Sequence, residues 1–167
     1  MEKEIKKPAI EVLFDNGALK ALRIQRENFK KQEKDFLRGK GACAYILLVD
    51  MNNPSKWPYV GYTGNPAERI TTHRSKKRGK DWWHDALIFV YNSVDEENQE
   101  LHFDIADCAY LENFLYEVIS YKDNDKKALK PYIKPNAQKM LENEIEPLIL
   151  EILKKRCSKI LKEKYLK

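Results

Sequence analysis

A chain of 167 residues, 43% hydrophobic and 34% charged, is long enough to bury one core and carries no apolar run near the ~20 residues of a membrane helix. Its first seven residues, Met1-Glu2-Lys3-Glu4-Ile5-Lys6-Lys7, lack the apolar centre of a signal peptide, and Cys43, Cys108 and Cys157 are too few and too scattered for a zinc cluster or a disulfide framework. The expectation is a cytoplasmic protein with no membrane attachment.

Ile10 to Phe14 reads as a strand entering a tight turn at Asp15-Asn16-Gly17. Ala18 to Ile24 then either returns as a second strand or opens a helix that runs to Leu37, and Arg38-Gly39-Lys40-Gly41 serves as a linker. Cys43 to Asp50 is a strand, Met51 to Lys56 a turn, and Tyr59-Val60-Gly61-Tyr62-Thr63 the antiparallel partner strand. Gly64-Asn65-Pro66 breaks that strand and starts a helix: Asn65 is the N-cap, Pro66 the first helical residue, and Glu68 the acid of a capping box. Arg69 and His73 follow one turn apart on one face.

Ala86 to Tyr91 is a third strand, bounded by an acidic turn over 92–99. A helix spans Asp107 to Tyr121 with Leu111, Phe114, Leu115 and Val118 as its apolar stripe and Glu112 on the shoulder. After a polar connection, Pro135-Asn136 introduces a last helix from Ala137 to Tyr165, for which Asn136 also suits the N-cap. Trp82 and Trp83 suit core packing better than base stacking, and His84 and His102 form no metal pattern with the cysteines.

The net charge of +5 is unevenly spread. Residues 69–80 hold Arg69, Arg74, Lys76, Lys77, Arg78 and Lys80 without an acid, residues 154–167 carry the same +6, and the rest of the chain carries about −7. Two basic patches on an otherwise acidic chain suit a polyanionic partner, since each cation that neutralises a phosphate releases counterions. For the terminal patch a solvated, solubilising face is the equal alternative.

The stretch Cys43-Ala44-Tyr45, Tyr59-Val60-Gly61, Arg69 ten positions after Tyr59, His73, Glu112 and Asn136 resembles, in order and residue type, the GIY-YIG endonuclease family over residues 42–137. The resemblance implies that Tyr45 and Tyr59 reach one site from paired strands, that Arg69 lies on the phosphate, that Glu112 holds a divalent cation (Mg²⁺ or Mn²⁺), and that Asn136 positions Glu112, the substrate or a metal-bound water through its amide. Asn124 is a second match for that asparagine. Tyr59 is the first choice of general base, Tyr45 the second, and His73 an alternative that takes or relays the proton. Cys43 stands where the family usually has glycine, and thirteen residues separate the two tyrosines, a longer spacing than usual.

The chemistry fits these residue types. One glutamate is enough for Mg²⁺, which keeps waters and substrate phosphate in its shell, and a guanidinium fork matches phosphate oxygens. A tyrosine, with an ordinary pKa of about 10, becomes a base only where cations favour its phenolate. Each residue also has a plainer reading: half-buried strand tyrosines, a solvated Arg69 and His73, a helical Glu112. Their joint occurrence is what carries the functional one.

The expected fold is mixed α/β, a small central antiparallel sheet of about three strands flanked by helices. The expected organisation is an N-terminal extension (1–41), a nuclease-like domain (42–137) and a basic C-terminal helix (138–167) packed on it. The expected function is a metal-dependent endonuclease acting on DNA, with Arg74, Lys76, Lys77, Arg78 and Lys80 as backbone contacts. The alternatives are a DNA-binding module on the same fold that no longer cuts, for which Cys43 speaks, and a protein-interaction domain docking through its last helix.

Overall fold

The structure, a computed structural model, describes residues 8–49, 58–74, 83–94, 96–119 and 131–156; for residues 73 and 74 it describes the backbone. Strands β1 (Ile10–Asp15) and β2 (Leu19–Gln25) form a hairpin, a short 3₁₀ turn (Arg26–Asn28) leads into α1 (Lys31–Arg38), and β3 (Cys43–Leu48) and β4 (Tyr59–Thr63) pair as a second antiparallel ladder. Helix α2 (Pro66–Arg74), strands β5 (Asp85–Val94) and β6 (Glu100–His102), and helix α3 (Ile105–Val118) follow. Helix α4 (Pro135–Met140), a π-helical turn (Leu141–Ile145) and α5 (Glu146–Lys155) form one unbroken helical run, because the junction residues keep right-handed helical dihedrals. Pro147 explains the wide turn. It lacks an N–H and its ring would collide with the carbonyl four residues back, so the backbone loosens just ahead of it.

The sheet is antiparallel throughout and ordered β1-β2-β5-β3-β4, with β6 paired to the far end of β5. Six strands therefore replace the expected three or so. The ambiguous 18–24 segment is β2: its alternation sends Leu19 and Ala21 to one face of the sheet and Leu22 and Ile24 to the other, which only a strand covered on both sides achieves. Asp15 and Asn16 close the hairpin by accepting backbone N–H bonds from Gly17 (2.8 Å) and Leu19 (2.8 Å), and Gly17 takes the positive φ that the turn needs. The sixth strand, Glu100–His102, was not predicted because it is three exposed residues with Leu101 as its one apolar member, too short to show an alternation.

Two cores flank the sheet. On one face α3 and the α4–α5 run pack on Ala44, Ile46, Leu48, Val60, Leu87 and Phe89; on the other α1 and α2 pack on Cys43, Tyr45, Leu47, Ala86 and Ile88. β3, between β5 and β4, is buried at every position, hence its unbroken apolar run. Trp83 is buried in the second core, as its packing reading required, while Trp82 lies outside the described residues. The ring of His84 bonds the Asp85 carboxylate and the Val49 carbonyl, both at 2.7 Å, and so ties the start of β5 to the end of β3.

Candidate functional site at the edge of β4

β4 is the outer strand beside β3; α3 packs along it on one face, and on the other its Tyr59 lies in the core that Ala67 and Ile70 of α2 help to fill. Register places Tyr45 across from Gly61 and Leu47 across from Tyr59, so Tyr45 and Tyr59 are diagonal neighbours on the α2 face. Their rings lie 6.2 Å apart at 30°. Tyr45 is fully buried and its phenol lies flat across β4 over Gly61. A Cβ on Gly61 would stand 2.5 Å from the Tyr45 hydroxyl and 2.6 Å from the ring carbon that bears it. The glycine is there because the tyrosine occupies the space a side chain would need.

Asn65 caps α2 as expected, accepting from the Glu68 N–H at 3.3 Å, and Pro66 takes the first turn. Glu68 does not close the capping box. The Asn65 N–H donates to the Thr63 hydroxyl at 3.0 Å, and the Glu68 carboxylate reaches to α1, where Lys34 (3.4 Å) and Arg38 (3.5 Å) offer positive charge. That leaves Arg69 turned toward β4. Its Nε donates to the Tyr45 hydroxyl at 3.2 Å. Hydrogen bonding to Tyr45, then its charge interaction, and to a lesser degree Tyr59 hold the guanidinium firmly protonated.

From the other face, α3 is pinned along β4 at two points. Near its start, Ile105 lies against Gly64, where a Cβ would meet the Ile105 side chain at 3.1 Å. Near its end, the Tyr116 hydroxyl donates to the Val60 carbonyl at 3.2 Å. Glu112 sits one turn before Tyr116 and two turns after Ile105, hence on this same strip of the helix. The helix begins at Ile105, two residues earlier than expected, because Asp104 and Asp107 form a reciprocal capping box. Tyr116 was not singled out from sequence; its place four residues after Glu112 was the available signal.

The electrostatics separate the groups. Burial raises the Glu112 carboxyl to about 7, against a smaller downward pull from Arg69. Glu112 makes no hydrogen bond or ion pair among the described residues, so a half-desolvated acid faces the guanidinium without a donor of its own. Burial also pushes the Tyr45 phenol well above its ordinary value, with Arg69 opposing weakly. Tyr45 is thus a proton-bearing anchor for Arg69 rather than a base. Tyr59 is half-buried and retains access from outside. Burial likewise raises the Cys43 thiol, which fills a fully buried core position without reactive character.

Tyr45, Tyr59, Arg69 and Glu112 are therefore brought together around β4. His73 lies one helical turn beyond Arg69 in α2, and Arg74 ends that helix; their side chains are outside the description. Lys76, Lys77, Arg78, Lys80 and Asn124 lie outside the described residues. Asn136 is exposed at the second position of α4, with Lys134 rather than Asn136 as the N-cap, and no hydrogen bond joins it to Glu112. Lys134 and Pro135 displace it from the cap because proline is accommodated at the first helical position.

Two cavities, of about 250 Å³ around Gln25, Trp83 and Asp85 and about 330 Å³ around Ala9, Arg23 and Asn28, contain none of these residues. Among the described residues no three His, Cys, Asp or Glu side chains gather as a metal cluster, and no helix is long and apolar enough to cross a membrane. Comparisons with protein-family models, with curated proteins and with solved structures each gave no match.

Proposed function

We propose that the protein is a metal-dependent endonuclease that hydrolyses DNA phosphodiester bonds at the edge of β4. The observation that carries this reading is the pairing across that edge of Arg69, fixed by Tyr45, with Glu112, a carboxylate pushed up to about 7 that has no hydrogen-bond donor among the described residues. A hard divalent cation fits such an acid. It needs only one or two carboxylates, accepts water and phosphate oxygens for the rest of its shell, and relieves the desolvated charge. Glu112 would hold it; when bound, it neutralises charge on the phosphate and on the leaving oxygen.

The chain's own residues supply the rest. The Arg69 guanidinium, bonded through Nε to the Tyr45 hydroxyl and also engaged by Tyr59, would turn its outer N–H groups to phosphate oxygens. Tyr45 orients Arg69 and stays protonated. Tyr59, on the accessible side of the pair, is the phenol placed to take a proton from the attacking water, and His73 one turn past Arg69 is the alternative acceptor. The cationic run at 74–80 follows directly on α2 and would carry salt-sensitive affinity for the DNA backbone.

The test is nicking of supercoiled plasmid by the purified protein with Mg²⁺, Mn²⁺ or EDTA, beside Glu112→Gln and Arg69→Ala. Metal-dependent nicking that falls at least about 100-fold in each folded variant is expected, the size typical of removing a group that stabilises transition-state charge. Full activity in either variant would overturn the site. DNA binding that ignores Mg²⁺, with no cleavage of plasmid, branched or single-stranded DNA, would instead assign a binding module.

A further inference from the structure

Resting on the nuclease reading, we infer that α1 is a second DNA-backbone contact surface, continuous with the Arg69 side of the site and built by the N-terminal segment. Helix α1 packs against α2 on the same face of the sheet, and its outward side carries Lys31, Lys34 and Arg38. Their spacing of three and then four residues sets them in one row. Its acids do not cancel that row. Glu33 is fully buried and accepts backbone N–H bonds from Ala9 (3.2 Å) and Lys30 (3.1 Å), which leaves Asp35, at 2.7 Å from Arg38, as the one exposed carboxylate of the helix.

Two features point to phosphate rather than to solubility. Lys30 and Lys31 stand at the N-terminal end of α1, where the helix dipole disfavours cations, so local helix stability does not account for them. Lys31 is exposed and makes no ion pair among the described residues. The row is also tied to the helix that carries Arg69: Lys34 and Arg38 converge on Glu68 of α2, while Arg69 turns from the same helix toward Tyr45, and the cations of α1 and α2 outnumber their exposed acids. A duplex laid against Arg69 would extend its backbone along this surface.

The experiment measures binding of a labelled random-sequence DNA duplex in EDTA across a range of NaCl concentrations. The proteins compared are wild type, Lys31→Gln, the triple variant Lys31→Gln/Lys34→Gln/Arg38→Gln, and Glu68→Gln, each checked for folding by circular dichroism. Each lost phosphate contact should lower the slope of log affinity against log salt by about 0.9. The slope is expected to fall by about 1 for Lys31→Gln and by about 2–3 for the triple variant, with affinity at low salt down about tenfold or more in the latter. Glu68→Gln, which breaks the interhelix ion pairs but frees two cations, should bind more tightly. Wild-type slope and affinity in Lys31→Gln and in the triple variant would overturn the inference and leave the nuclease reading standing. Weaker binding by Glu68→Gln would show that the row serves only to join α1 to α2. A wild-type protein that binds no DNA would overturn both.

Discussion

If Glu112 holds a cation as proposed, its burial sets stability against function in a way that pH exposes. Its carboxyl lies at about 7 in the folded protein against 4.5 as the ordinary value, so the fold prefers the protonated acid. Below about 4.5 both folded and unfolded chains hold the proton and there is no penalty. As pH rises through about 7 the folded protein must bear a desolvated carboxylate, and that share of stability is lost. The full shift would be worth roughly 3 kcal/mol, but the side chain is only part-buried, and solvent screening reduces this to about 1 kcal/mol. Glu112→Gln should therefore melt about 2–4 °C above wild type at pH 8 and level with it near pH 4. Added Mg²⁺ should close the gap at pH 8 by favouring the ionised acid, with differential scanning calorimetry as the readout. A glutamine variant that is less stable than wild type at pH 8 would mean the carboxylate has a partner in the fold and is not held for a cation. Cleavage by the wild type, in turn, should rise with pH as Glu112 ionises.

At the level of elements, the site is a product of strand register. Tyr45 and Gly61 face each other across β3 and β4, and the phenol fills the room over the glycine. Gly61→Ala should cost about 1–3 kcal/mol or more, as overpacking of a closed core does, and should displace Arg69 by moving its phenol anchor. Tyr45→Phe should not rescue it, because the ring carbon that remains would still lie 2.6 Å from the new methyl group; Tyr45→Leu should recover stability but not cleavage. Equal urea midpoints for wild type and Gly61→Ala would contradict this packing. The same pairing shows what was legible beforehand. Strand β4 was read with its observed bounds, since β-branched and aromatic residues ended by Gly-Asn-Pro leave little choice, and the cap at Asn65 was readable from side-chain chemistry alone. Glu68 was misassigned to the capping box because its true partners, Lys34 and Arg38, are distant in sequence. The Tyr116 bond to the Val60 carbonyl was invisible for the same reason: local pattern places a residue on a helix face but does not say which strand that face will meet.

For the whole molecule, the boundary between an N-terminal extension and the region that resembles a nuclease does not coincide with a boundary in the core. Strand β2 lies between β1 and β5, so residues 10–38 supply an inner strand of the sheet and the helix that covers α2. Leu19, Leu22, Ile24, Phe29 and Leu37 are each at most 2% exposed and are shared between both cores. At about 1.5–3 kcal/mol per buried side chain, these five contribute on the order of 10 kcal/mol. That equals the whole net stability of a typical domain, about 5–15 kcal/mol. Removing residues 1–41 would also strip β5 of a seven-residue ladder and open an apolar edge for intermolecular pairing. The chain from residue 42 onward should therefore fail to fold on its own: broad, poorly dispersed amide resonances, no cooperative melt by circular dichroism, and association at micromolar concentration are expected. A cooperatively melting, monomeric fragment would place the N-terminal hairpin outside the folding unit. It would also make α1 a detachable addition to a self-sufficient core, whereas failure to fold makes the basic row on α1 a fixed wall beside Arg69, held there by the same strands that hold the site.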